Sequence, residues 1–204
     1  MKDYFVVDFE YTQYMRRVGR PRGFFSEIIE IGAIKIEGDT KKNRGNIHNF
    51  VKPHFYPKQA IEIMEFCSIT ISDMEKAIKF SKMLDKITAL YVPGNTYFVS
   101  WGPDDFKVLD YNCMRHKLTN PILQEDCLDL AAAYKRIKGD NNTTSLKNAA
   151  EELGVGQEGH WHAAYDDASK TGRILLKLLE DGWSPDECFV PLQNKQDTSE
   201  RAIK

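Results

Sequence analysis

The chain opens with Tyr4-Phe5-Val6-Val7-Asp8-Phe9-Glu10, rich in β-branched and aromatic residues. Ile28 to Ile36 and Asn46 to Val51 carry the same signature, so three strands come first. The polar stretch Glu37 to Gly45 between the second and third suits a β-hairpin, and Pro53 and Pro57 end the strand pattern. From Ser72, a candidate N-cap, to about Tyr91, the residues Met74, Ala77, Ile78, Leu84, Ile87 and Tyr91 recur at helical spacing and predict one helix. Thr96 to Trp101 reads as a short buried strand ending at Gly102-Pro103, where a helix begins. Helices are expected from Asp104 to Lys117, Asp126 to Ile137, Ser145 to Leu153 and Ala163 to Leu179, with Gly154 and Gly182 just beyond the last two. Strands first, then helices interleaved with one more strand, predict an α/β domain: a mixed sheet flanked by helices on its faces.

Composition narrows this further. A length of 204 residues fits a single domain, here 1–182, followed by a polar extension over 183–204 that is expected to fray after Pro191. With 42% hydrophobic and 28% charged residues the chain can bury a full core, which argues against disorder or a fibrous repeat. No window approaches the roughly 18 consecutive apolar residues of a membrane span, and Met1-Lys2-Asp3 runs into the first strand without a signal-peptide pattern. The four cysteines, Cys67, Cys113, Cys127 and Cys188, are scattered without a C-x-x-C pair, which fits a reducing, cytoplasmic setting and no zinc cage. Lys plus Arg number 28 against 30 Asp plus Glu, a net charge of −2, so any binding of nucleic acid must use a local patch.

Three pairs of acids stand out against this pattern. Strand alternation puts Val6, Asp8 and Glu10 on one face, with Phe5, Val7 and Phe9 on the other. Two like charges side by side on a central strand cost roughly 4 kcal/mol at 4 Å with an effective dielectric near 20, so a cation should neutralise them. A strand end emerging into solvent is the alternative. Asp104 and Asp105 follow Gly102-Pro103 at a helix start, where acids suit the helix dipole. Helical counting places Asp105 with Val108, Leu109, Asn112 and Cys113, hence inward, and Asp104 with Lys107, Tyr111 and Arg115. In the third pair, Asp167 lies on the apolar stripe of Ala164, Ala168, Thr171, Ile174, Leu175 and Leu178, while Asp166 falls with Lys170, Arg173 and Lys177 on the solvated face. A buried aspartate must be paired, protonated or metal-bound. His162, five residues earlier, can reach the same pocket, whereas His160 fits an ordinary loop histidine.

Asp8-Phe9-Glu10-Tyr11-Thr12, then Trp101-Gly102-Pro103-Asp104-Asp105, then His162-Ala163-Ala164-Tyr165-Asp166-Asp167-Ala168 occur in this order. Together they resemble the three motifs of the DEDDh, or DnaQ-like, 3′-to-5′ exonucleases. The similarity extends through Glu27 to Ala33, Phe50 to Pro53, Phe66-Cys67 and Ser145 to Gly154, and covers roughly residues 3–182. The layout resembles the subgroup of histone-stem-loop and small-RNA trimming exoribonucleases and KapD-type proteins. It departs at Ser68-Ile69-Thr70-Ile71, where that subgroup commonly has L-T-G-I.

The resemblance implies a ribonuclease-H-like fold. It also implies that Asp8, Glu10, Asp105 and Asp167 bind two Mg²⁺ ions, with Mn²⁺ as a substitute, and that His162 is the general base. Hard oxygen donors suit these ions, and two of them about 3.5–4 Å apart can serve the attacking and leaving oxygens of a phosphodiester. A neutral imidazole, with an ordinary pKa near 6.5, can take the proton of the attacking water. The substrate expected is nucleic acid, single-stranded RNA favoured and DNA possible, released as nucleoside 5′-monophosphates. The resemblance further places Thr12, through its backbone, near a terminal 3′-hydroxyl, beside Tyr11. Phe9 and Trp101 are stacking candidates worth roughly 1–3 kcal/mol per base, with core packing the equal alternative for both. Arg16, Arg17, Arg20 and Arg22 form the local positive patch that the net charge lacks. The competing reading is a noncatalytic nucleic-acid-binding or assembly module that keeps the fold.

Overall fold

The protein is seen in a computed structural model that describes residues 1–14, 18–155 and 159–185. The apolar runs form five strands: β1 (Asp3–Tyr11), β2 (Ile28–Ile36), β3 (Asn43–Phe50), β4 (Thr96–Ser100) and β5 (Cys127–Asp129), in the sheet order β3-β2-β1-β4-β5. β1, β2 and β3 pair antiparallel, while β4 and β5 join β1 in parallel. Among the described residues the helices are α1 (Pro57–Met64), α2 (Ile71–Glu75), α3 (Phe80–Leu90), α4 (Asp104–His116), α5 (Leu130–Lys138), α6 (Leu146–Leu153) and α7 (Ala164–Glu180).

The expected mixed sheet with helices on both faces is what the chain forms. Phe5, Val7 and Phe9 pack with Phe80, Met83 and Ile87 of α3 and Leu109 of α4. Tyr4 and Val6 pack on the other face with Leu130, Ile174, Leu175 and Leu178 of α5 and α7. That second face changes character halfway along. Tyr4 and Val6 lie opposite Ile36 and Ile34, then Asp8 lies opposite Gly32 and Glu10 opposite Glu30. At Gly32 a Cβ would come within 2.1 Å of the Ala164 backbone, so the bare backbone is what lets the start of α7 settle beside the acids.

Several expected elements are corrected. The single helix from Ser72 to Tyr91 is two, because Ile78 makes a parallel bridge with Val51 and its chain exchanges hydrogen bonds with Phe50 and Lys52. Thr70 rather than Ser72 caps α2: its hydroxyl accepts the Asp73 amide at 3.2 Å, and the Asp73 carboxylate accepts the Thr70 amide at 2.9 Å. Pro57 does not merely end a strand; it begins α1, where its missing N–H goes unneeded. The helix expected from Asp126 starts only at Leu130, capped by Asp129, because Cys127–Asp129 is consumed as an edge strand. Cys67, Cys113 and Cys127 are free thiols; Cys188 and the tail beyond 185 lie outside the described residues.

Candidate active site

Strand β1 carries Asp8 and Glu10 past the end of its pairing with β4, whose last partnered residue is Val99 opposite Val6. The chain leaves β4 through a turn with Gly102 at φ 107°, a conformation L side chains rarely adopt, and enters α4 with Asp104 and Asp105 in its first turn. Asp105 turns inward and its Oδ1 accepts the amide of Phe9 at 3.1 Å, closing the open end of the strand, while Asp104 is exposed and pairs with Lys107. A cavity of about 370 Å³ opens here. Asp8, Glu10, Asp105, Asp167 and His162 all line it, with Gln13, Ile63 and Phe66 among its other walls.

The fourth acid comes from α7. Asp167 is 8% exposed, and its Oδ2 accepts the backbone amide of His162 at 3.1 Å, so the acid and the histidine loop are fixed together. His162 has φ 62°, a left-handed backbone that histidine tolerates better than most residues. Its imidazole is exposed over the cavity and lies 4.4 Å from the ring of Phe66. Ligand atoms of Glu10, His162 and Asp167 lie within 4.8 Å of one another. Lys170, expected on the solvated face, is instead 2% exposed: its ammonium sits 4.0 Å over the Trp161 ring and bonds Asp167 Oδ1 and the His160 carbonyl. The apolar flank of Trp161 draws it in, a contact that helical counting along α7 alone does not reveal. Asp166 accepts the His160 amide.

Asp167 is paired with Lys170, but among the described residues Asp8, Glu10 and Asp105 hold no lysine or arginine. Burial first, then the carboxylates of Asp105, Glu10 and Asp167, push Asp8 well above the ordinary range. Burial raises Asp105 to about 7 against the Phe9 amide that favours its charged form, and raises Glu10 to about 7 despite a bond from the Cys67 thiol at 3.2 Å. Burial and Glu10 in turn push the Cys67 thiol up, so it is a neutral donor. Glu30, opposite Glu10, is also raised by burial, partly offset by the Ala164 amide and by His48, whose Nε2 lies 3.0 Å away. His48 stacks on Tyr165 of α7. Cys67, Phe66, Glu30 and Lys170 are the site neighbours that sequence reasoning did not assign; the only signal for two of them was their place in a similar stretch, Phe66-Cys67.

The candidate substrate contacts divide. Tyr11 is half-buried in the cavity wall, and burial followed by Asp105 and Asp104 pushes its phenol up to about 12, keeping it a proton donor. Trp101 lines the cavity half-buried, its indole N–H donating to the Thr144 carbonyl at 3.1 Å and its ring tilted against Tyr134 at 6.0 Å. Phe9 lines the cavity but is only 3% exposed, and its ring packs in the core, the alternative expected for it. Thr12 is fully buried, its hydroxyl accepts the Glu27 amide and its own amide donates to the Glu27 carbonyl. Arg20 and Arg22 are exposed outside the cavity lining; Arg16 and Arg17 lie outside the described residues.

Comparison with known proteins adds the following. A family model described as Exonuclease (RNase_T) matches residues 5–175. The chain is 34% identical over 175 residues to the probable 3′-5′ exonuclease KapD of Bacillus subtilis, covering 86% of this chain and 83% of that one. It spans about half the length, 52%, of the human 3′-5′ exoribonuclease 1 that it also matches. Among solved structures, the nuclease domain of 3′hExo, a DEDDh family member bound to rAMP, superposes with TM-score 0.77 at 23% identity, covering 89% of this chain and 93% of that domain. Pop2p of S. pombe, in its Mg²⁺ and Mn²⁺ bound form, superposes with TM-score 0.62 at 18% identity, covering 86% and 82%. At these identities the two structures show the fold.

Proposed function

The chain belongs to the exonuclease family, and from that premise we propose that it hydrolyses single-stranded RNA from the 3′ end, releasing nucleoside 5′-monophosphates. The observation that carries this is the convergence of Asp8, Glu10, Asp105 and Asp167 from three distant segments on one cavity, three of them with raised affinity for protons. A site whose buried carboxylates crowd one another and resist ionisation is a site suited to receive positive charge. The donors are hard oxygens apart from one imidazole, so the residues fit Mg²⁺ or Mn²⁺. Such ions, held by the four carboxylates, supply Lewis-acid neutralisation of the charge that develops on the phosphate.

The chain's own groups do the rest. His162, exposed at the rim with its backbone held by Asp167 and its ring braced by Phe66, accepts the proton of the attacking water at a ring nitrogen, which requires the neutral imidazole. Tyr11 holds its phenolic proton and donates to the phosphate or terminal sugar. Trp101, half-buried in the cavity wall, supports the terminal base. The rAMP bound by the 3′hExo nuclease domain supports a ribonucleotide here. Matched 5′-labelled RNA and DNA strands incubated with Mg²⁺, and again with a chelator, test the reading. A chelator-sensitive ladder that is faster on RNA supports it. A ladder favouring DNA overturns the RNA preference, and strands left intact with Mg²⁺ favour the noncatalytic module.

A further inference from the structure

Gln13 lines the acid cavity, and from its neighbour Tyr14 a series of rings in mutual contact leads away. Tyr14 lies 5.8 Å from Phe24, Phe24 lies 4.6 Å from Tyr56, and Tyr56 lies 5.1 Å from Phe25. Phe25 continues to Phe55 at 5.2 Å, Phe55 to His116 at 5.0 Å, and His116 stacks on Phe80 at 4.4 Å and 12°. The last two rings line a second cavity of about 470 Å³ whose walls include Lys52, His54 and Lys79 and no carboxylate. Cations accompany the rings: Arg20 lies 5.2 Å over Phe24, and Arg115 lies 5.1 Å over Phe25 and 5.6 Å over Phe55.

These cations are not tied up by carboxylates, as several others in the protein are. Lys2, Lys35, Arg44 and Lys170 each hold a carboxylate, whereas among the described residues Arg20, Arg115, Lys52 and Lys79 hold none. The rings are also held in place beforehand. The buried Glu27 carboxylate accepts the backbone amides of His54, Phe55 and Tyr56, which leaves little of the platform to be ordered on binding. Phe25 and Phe80 are buried and anchor the series, while the part-exposed rings of Tyr14, Phe24, Phe55 and Tyr56, interleaved with positive charge, suit a phosphate backbone whose bases need only a π-face.

We propose that this aromatic and basic track is a binding site for the single strand 5′ of the terminal nucleotide, running from the acid cavity to the Lys52–Lys79 pocket. It rests on the exonuclease reading of the acid cavity. The track gives the acidic cavity the attraction for a polyanion that a net charge of −2 withholds.

The test compares hydrolysis of a dinucleotide with that of an oligonucleotide of about 16 nucleotides, the upper range of such single-strand sites. In the wild type, KM falls with length. Lys52→Gln/Lys79→Gln/Arg115→Gln is expected to raise KM for the long strand about 10- to 100-fold and to flatten its salt dependence by about 0.7 for each phosphate the variant no longer neutralises. Dinucleotide turnover should stay within about twofold, and Lys42→Gln/Lys86→Gln should change neither substrate. Tyr111→Ala, which removes an exposed ring 5.3 Å from Phe25, should raise KM for the long strand alone. A triple variant that keeps the full length dependence, or loses dinucleotide and long strand equally, overturns the track. If the wild type cleaves neither substrate, the hydrolytic reading falls separately, and fluorescence polarisation of the labelled long strand with the same variants still decides the track.

Discussion

Asp126 and Asp105 are both buried aspartates at opposite ends of the same sheet, and their carboxyls are displaced in opposite directions. At Asp126, burial alone would raise the carboxyl, but bonds from the Tyr91 hydroxyl, the Gly94 amide and the Lys2 ammonium outweigh it and hold it below the usual range. Asp3, at the same end of β1, is likewise lowered, by the Gly38 amide and Lys35 against burial. At the other end, Asp8, Glu10 and Asp105 are all raised. One end of the sheet carries its counterions within the chain; at the other only Asp167 has one, Lys170, and Asp8, Glu10 and Asp105 have none among the described residues. On the proposed function, this difference separates structural carboxylates from chemical ones.

The largest effects should fall on the chemical end. Asp8→Asn is expected to lower turnover about 10³-fold or more, since several kcal/mol of charge stabilisation depends on the ions these acids hold. Asp126→Asn should leave turnover within about twofold. Equal losses in the two variants, measured as kcat on a labelled oligonucleotide, would erase the contrast. Next comes the rim. His162→Asn, which suits the left-handed backbone at that position, should lower kcat about 10²- to 10⁴-fold with metal affinity nearly unchanged. Undiminished single-turnover cleavage would remove His162 as the base.

Much of this contrast was legible before the fold was seen. Asp8 and Glu10 declared themselves by interrupting the apolar alternation of β1, and helical counting separated Asp105 from Asp104 and Asp167 from Asp166, because a charge on an apolar stripe has no bland explanation. What stayed hidden depended on tertiary contact. Three residues of β5 are too few to show a period, and the break between α2 and α3 is made by Val51, distant in sequence. Lys170 counts as solvated along its own helix and is buried only because Trp161 folds over it. Phe9 sits between Asp8 and Glu10 in sequence, yet strand alternation turns its ring into the core, while Thr12 is buried by its bonds with Glu27.

Stability should divide in the same way, with smaller magnitudes. In metal-free protein at pH 8, Asp126→Asn is expected to cost about 1–3 kcal/mol, the range for weakening charge-assisted bonds. Asp105→Asn should instead stabilise by a comparable amount, because each pKa unit is worth about 1.4 kcal/mol and its charge is held against burial. The pH dependence follows with opposite signs. A lowered carboxyl such as Asp126 or Asp3 contributes stability above its unfolded pKa and loses it as pH falls through the folded value, giving an acid limb. A raised carboxyl binds its proton more tightly when folded, so Glu10 and Asp105 favour the folded state at low pH and withdraw that contribution as pH rises from about 4 to about 7. Thermal melts in chelator should therefore decline across that interval. Saturating Mg²⁺ or Mn²⁺ should restore the loss, by about 2.7 kcal/mol at one hundred times Kd. A metal-free melt that is flat from pH 4 to 8 would show that the acids are already neutralised within the chain.

The smallest effect asks whether the rim is merely attached to the acid floor or tuned to it. Phe66 is 56% exposed, so its ring contributes little to folding, yet it lies 4.4 Å from the imidazole of His162. The next residue, Cys67, bonds Glu10, so one short stretch touches both the base and an acid. Phe66→Ala should leave the melting temperature within about 2 °C, the shift of roughly half a kcal/mol in a domain of this size. It should lower kcat about 3- to 10-fold through a less fixed imidazole. Phe66→Tyr should restore kcat, since it keeps the ring. A loss that appears in KM alone, and that Tyr repairs no better than Leu, would make Phe66 a wall for the substrate and leave the orientation of His162 to its backbone bond with Asp167.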